Sequence, residues 1–234
     1  MCGRFALSVP PSQFRLHFGC EPPPGCRPRW NITPDSDIVI VRAPGPGARE
    51  AVFVRWGLLA PWMDDPKDPG RMINARIETA ATRPMFRDAF ARRRCLVPAD
   101  GFYEWQKQPR GPSRPFFVRL AAGEPMGMAG IWRESRLADG STLETAAILT
   151  RDAPPALRPL HHRVPVVIRP EHYDLWLDPE LRDPAALAEA LEPLPGEAFD
   201  WYEVSRRVND PRNDDPRLVE PADRPPLPPG GLFG

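Results

Sequence analysis

Short apolar runs broken by prolines and glycines make up most of the chain. Ile38-Val39-Ile40-Val41 and Ala51-Val52-Phe53-Val54 read as strands, and the Ala-Pro-Gly-Pro-Gly segment between them as a turn. Strand-like patterns follow at 94–97, 102–105, 115–120, 126–132, 145–150, 164–168 and 201–204. Helical spacing is confined to brief stretches. Phe14 and Phe18 stand i, i+4 in 11–18, Phe86 and Phe90 do so in 84–94, and 170–177 and 184–191 predict two further short helices. Strands outnumber helices, and most connections are too short for parallel crossovers. The pattern predicts an α+β fold: a single domain with an antiparallel, β-rich, barrel-like core flanked by short helices.

Composition sharpens this picture. The chain has 34 prolines in 234 residues, against a usual share of about 5%, which disfavours a bundle of long helices. Pro and Gly crowd the last stretch, so a domain over 1–220 and a disordered tail over 221–234 are expected. No interior linker or internal repeat stands out. With 31 Lys+Arg against 31 Asp+Glu the formal net charge is +0. That excludes a generally basic nucleic-acid binder but leaves room for a local basic groove. No apolar run nears the roughly 20 residues of a membrane span, and the first residues lack a signal-peptide core. A cytoplasmic protein without membrane contact is expected. The four cysteines, at 2, 20, 26 and 95, form no Cys-x-x-Cys pair, so no metal and no cofactor are expected. Cys20, Cys26 and Cys95 read as small loop and core residues.

Cys2 differs by position. A small second residue generally permits removal of the initiator Met, which would leave a free α-amine and a thiol two carbons apart. Their ordinary pKa values are about 7.7–8.0 and about 8.5, so both are partly deprotonated near neutrality. Such a 1,2-aminothiol condenses with an aldehyde: the amine forms an imine, and the thiol closes a five-membered thiazolidine at high effective concentration. An N-terminal Cys can also serve as an acyl-transfer nucleophile with its own amine as base.

Met1-Cys2-Gly3-Arg4-Phe5 resembles the start of the SOS response-associated peptidase (SRAP) family. So do Arg29-Trp30-Asn31-Ile32-Thr33-Pro34, Arg55-Trp56-Gly57-Leu58, Ile73-Asn74-Ala75-Arg76-Ile77-Glu78-Thr79, Pro98-Ala99-Asp100-Gly101-Phe102-Tyr103-Glu104-Trp105, His161-His162-Arg163-Val164-Pro165 and Val204-Ser205. The segments stand in family order across nearly the whole chain short of the tail. The resemblance implies a protein that shields abasic sites in single-stranded DNA. Cys2 would form the thiazolidine with the ring-opened sugar aldehyde.

It implies roles for other residues too. Asn74 would position the opened sugar. Strand alternation places Glu104 opposite Tyr103 and Trp105, and its carboxylate would carry protons during imine formation. His161 would act as acid or base in ring opening and in reversal of the crosslink. His162 stands where the family usually has Asp. Arg4, Arg76 and Arg163 would grip phosphates, since the guanidinium fork suits them. Trp30, Trp62 and Trp105 are candidates to stack on bases, and Arg92-Arg93-Arg94 reads as a solvated, dipole-complementing helix end. The expected partner is single-stranded DNA bearing an abasic site; a monomer is expected, nucleoid-associated in a bacterium. Alternatives are a glutamine amidotransferase using Cys2, a thiol peptidase that exposes Cys2 by self-cleavage, and a non-catalytic single-strand binder. The usual amidotransferase continuation after Met-Cys-Gly is absent.

Overall fold

The computed structural model describes residues 2–45, 47–68 and 70–222. In chain order the elements begin with β1 (Phe5–Leu7), α1 (Pro11–Phe18), β2 (Arg29–Ile32), β3 (Asp37–Arg42), β4 (Glu50–Trp56), β5 (Asn74–Arg76), α2 (Ile77–Ala80) and α3 (Arg87–Arg92). They continue with β6 (Arg94–Ala99), β7 (Gly101–Gln106), β8 (Arg114–Leu120), β9 (Met126–Arg136), β10 (Thr142–Asp152), β11 (Arg163–Pro165) and β12 (Val167–Ile168). The last are α4 (Tyr173–Leu177), α5 (Pro184–Ala190) and β13 (Phe199–Glu203).

The Ile38-Val39-Ile40-Val41 run is buried along its length, which requires cover on both faces. A closed barrel meets that need. Strand β3 pairs with β4 and β6, β6 with β9, β9 with β10, and β10 returns to β4. The closing pair is parallel, with Thr145 opposite Arg55 and Ala146 opposite Trp56. Strand β5 is also parallel to β10. The core is otherwise antiparallel, as expected; these two parallel pairings arise because the long segments between the paired strands allow crossovers that adjacent runs do not.

The second sheet has the order β13-β8-β7-β1-β2. It grows out of the barrel because β6 runs almost directly into β7. The junction needs Gly101, since a Cβ there would lie 2.4 Å from the Val118 carbonyl oxygen. At the end of α1, Gly19 takes a left-handed φ of 74° and donates its N–H to the Arg15 carbonyl.

Helix α1 has the predicted bounds, whereas the predicted helix over 84–94 shrinks to α3 and yields its last residue to β6. Arg94 is accordingly buried, not solvated. It does donate to the Phe90 and Ala91 carbonyls at the end of α3, and also to that of Trp176. Burial lowers its pKa to about 10. The run over 164–168 divides because the chain passes from the edge of β10 to that of β9, with Val166 hydrogen-bonded to Leu149 and Ala129. Pro221 bridges to Val204 and the Ala222 N–H donates to Glu203; the rest of the predicted tail lies outside the described residues. No helix among those residues is long and apolar enough to cross a membrane.

Candidate active site

The site begins at an aromatic wedge between the two sheets. Phe5 of β1 stands edge-on to Trp56 of β4 at 5.2 Å, a contact worth about 0.5–1.5 kcal/mol beyond its burial. The Trp56 indole N–H donates to the Ile73 carbonyl at 2.9 Å. The wedge thereby sets β5 beside the start of the chain. Asn74 opens β5, and its Nδ2 donates to the Cys2 carbonyl at 2.8 Å. Cys2 is fully buried. Asn74 is 6% exposed, and its Oδ1 has no hydrogen-bond partner among the described residues. An unmet buried acceptor costs about 1–3 kcal/mol, so this amide oxygen is open to a donor carried by a ligand.

Alternation along β7 behaves as its sequence predicts. Tyr103 faces a small cluster with Ala6, Phe117, Val208 and Leu218, and Trp105 packs against it. The Tyr103 hydroxyl donates to the Trp30 carbonyl at 2.6 Å. Phe102 belongs to the main core that also holds Cys2, and Glu104, two residues on, is 4% exposed. Burial pushes the Glu104 carboxyl up to about 7, outweighing the charge of the chain's amino terminus, which acts in the opposite sense. Both its forms are therefore populated near neutrality, as a proton carrier requires. The Cys2 thiol is raised first by burial and then by the negative charge of Glu104, so it rests protonated beside a group able to take that proton.

His161 sits at the end of the loop leading to β11. Its Nδ1 lies 2.9 Å from the Arg163 main-chain nitrogen and 3.2 Å from the Arg163 carbonyl oxygen, so the backbone of Arg163 holds the ring in place. Burial lowers its pKa, so the neutral form prevails at pH 7. The ring stacks on His162 at 4.2 Å, and Gln106 at the end of β7 donates to the Pro159 carbonyl in the same loop. Arg163 does not present its guanidinium to solvent. It is 5% exposed, meets both oxygens of Glu78 at 2.7 and 2.8 Å, and reaches Asp152 at 2.7 Å and the Thr150 carbonyl at 2.5 Å.

The remaining predicted residues line the surroundings. Arg4 donates to Asn31 Oδ1 and the Val208 carbonyl, each at 2.7 Å, with its guanidinium 5.9 Å from the Trp105 ring. The Trp105 indole donates to Asn209. Arg76 is exposed and in no ion pair among the described residues. Trp62 is 63% exposed, whereas Trp30 is half-buried against the Tyr103 cluster. No group of His, Cys, Asp and Glu among the described residues could hold a metal.

Sequence reasoning missed three residues. Fully buried Asn31 donates to the Val208, Asp210 and Asn213 carbonyls and so holds the segment beneath Trp105. Glu78 clasps Arg163, and Gln106 braces the His161 loop. Asn31 and Glu78 lie within the 29–34 and 73–79 segments and could have been singled out there; nothing marked Gln106.

Residues 1–211 match the family model described as SOS response associated peptidase (SRAP). The abasic site processing protein YoqW of Bacillus subtilis is 33% identical over 223 residues, covering 94% of this chain and 99% of that one. The abasic site processing protein YedK of Escherichia coli is 31% identical over 231 residues, covering 94% and 100%. A crystal structure of a protein from Bacteroides thetaiotaomicron shares the fold, with a TM-score of 0.81 at 23% identity over 94% of this chain and 100% of that one. The family match spans the wedge, the Cys2 seat, Glu104 and the His161 loop together, and on it the chain belongs to the SRAP family.

Proposed function

We propose that this protein processes abasic sites in single-stranded DNA by forming a covalent crosslink through Cys2 once Met1 is removed. The relatives' names point to the lesion. The observation that carries the chemistry is the seat of Cys2: its carbonyl is held by Asn74, and its thiol lies in the field of a buried carboxyl poised near 7.

The α-amine adds to the aldehyde of the opened deoxyribose, and loss of one water gives an imine. The sulfur then bonds to the imine carbon, while the thiol proton passes through Glu104 to the nitrogen. The cationic iminium offsets the field that otherwise keeps the thiol protonated. Asn74 Oδ1 accepts a hydrogen bond from a sugar hydroxyl. His161, neutral at pH 7, takes the proton of the sugar's anomeric hydroxyl and returns it to the ring oxygen as the ring opens, and runs the same transfer backwards on reversal. Exposed Arg76 meets phosphate and Trp62 stacks on a base. Because phosphate neutralisation at zero net charge gives modest, salt-sensitive affinity, the covalent bond supplies durability. The same groups fit removal of Met1 by hydrolysis, with Cys2 as thiol nucleophile.

Mixing untagged protein with an abasic oligonucleotide, then separating under denaturing conditions, tests this reading. A denaturant-resistant adduct is expected for the native chain and none for Cys2→Ala. Equal adduct in both would refute it.

A further inference from the structure

We propose that the β7–β8 hairpin and the His161 loop together form a second grip on the DNA strand, in which Lys107, Arg110 and Arg158 take up its phosphates beside the lesion. The inference rests on the function proposed above and names where that strand is held.

Charge is segregated in this part of the molecule. Between Glu104 and Glu124 the chain carries Lys107, Arg110, Arg114 and Arg119 and no Asp or Glu, and the His161 loop carries no Asp or Glu from 153 to 163. In a chain of zero formal net charge, that gathers cations on one side of the site. Two of the four on the hairpin are already matched: Arg114 pairs with Glu203 and Arg119 with Asp200, both on β13. Lys107, Arg110 and, on the loop, Arg158 are exposed and in no ion pair among the described residues. Lys107 follows directly on β7, about 10 Å along the strand from Glu104. The Gln106 side chain donates to the Pro159 carbonyl at 3.2 Å. That bond ties the root of the hairpin to the loop, with Lys107 and Arg158 one residue away on either side of it. Arg158 is steadied by its own loop, since its Nε donates to the Ala153 carbonyl at 3.2 Å, which leaves its terminal nitrogens for a ligand. The charge of Lys107 reaches the site: the His161 pKa is lowered first by burial, then by the amino-terminal charge, and last by Lys107. Three exposed cations on two joined loops, with no carboxylate between them, suit a flexible polyanion. Phosphate contacts position a strand without reading its bases, as a lesion that has lost its base requires.

The test compares the full-length native chain with two variants. One combines Lys107→Ala, Arg110→Ala and Arg158→Ala. The other combines Arg114→Ala and Arg119→Ala, which removes cations from the same hairpin that already have carboxylate partners. The three positions of the first are exposed, so their substitution leaves the fold intact. Binding of an undamaged single strand is read by fluorescence anisotropy over a range of salt concentrations. Loss of three contacts should lower the slope of log affinity against log salt by about 2, at about 0.7 per phosphate, and weaken binding about tenfold at about 0.1 M salt. The paired-arginine variant should keep the native slope. On an abasic strand, the triple variant should need more protein for its half-maximal adduct rate, while its rate at saturation stays within about twofold of native. An unchanged slope in the triple variant would overturn the inference. So would an equal fall in both variants, which would make the effect one of net charge. If the slope falls as expected but the native protein forms no adduct, the grip stands and the proposed crosslinking fails.

Discussion

Two carboxylates flank the candidate site, and their surroundings drive them in opposite directions. Glu104, on the Cys2 side, is buried and pushed up to about 7 from 4.5. Glu78, behind the His161 loop, is half exposed and held below its ordinary value, chiefly by its hydrogen bonds to Arg163. At Glu104 burial outweighs the opposing amino-terminal charge; at Glu78 a guanidinium at bonding distance outweighs burial. The contrast separates a carboxyl whose pKa is brought near neutrality from one that its guanidinium partner keeps ionised. Arg163, whose motif position invites a phosphate contact, is here buried and bonded to Glu78 and Asp152.

The two regions should respond oppositely to pH. A folded-state carboxyl raised from 4.5 to about 7 binds a proton that the unfolded chain has released. Its contribution to stability is full below about pH 4.5 and is lost as the pH rises towards 7. Above 7 the cost of the charged form amounts to about 3 kcal/mol at 1.36 kcal/mol per unit. Glu104→Gln should therefore raise stability at pH 8 by up to about 3 kcal/mol in urea unfolding, while the adduct rate falls and loses its rise through about pH 7. Stability lost at pH 8 would break the comparison. Glu78 has the reverse sign: its contribution is present above its unfolded value and fades as the pH falls through its lowered folded one.

A smaller effect is expected on the other side. Arg163→Ala removes a guanidinium bonded to two carboxylates and a carbonyl. It leaves carboxylates that solvent can reach, so the loss should be about 2 kcal/mol, near the range for hydrogen bonds to charged groups. Urea unfolding at pH 7 and again at pH 3 checks it: the gap between variant and native protein should narrow in acid as Glu78 and Asp152 protonate. A gap independent of pH would make the Arg163 cluster a matter of packing alone.

Most of the barrel was legible because its strands are long enough to show their pattern. Four buried β-branched residues in a row, Ile38 to Val41, can hardly be anything but a strand covered on both faces. Strands β1, β2 and β5 were not found, since runs of three or four residues carry no detectable period. The parallel closure of β10 on β4 was equally hidden, because pairing partners far apart in the chain leave no local mark. At the site, alternation around Glu104 was readable from Tyr103 and Trp105. The inward turn of Arg163 was not: its partners, Glu78 and Asp152, come from separate elements, and only the folded chain joins them.

The central claim is a bond from one sugar carbon to both the nitrogen and the sulfur of Cys2. Intact-mass analysis of untagged protein mixed with an abasic single strand, with and without borohydride, addresses it most directly. The account predicts protein that has lost Met1, joined to the oligonucleotide with the loss of one water, at a mass that borohydride leaves unchanged because the ring is closed. An adduct that retains Met1, or one that gains two hydrogens on reduction as an open imine does, would contradict it.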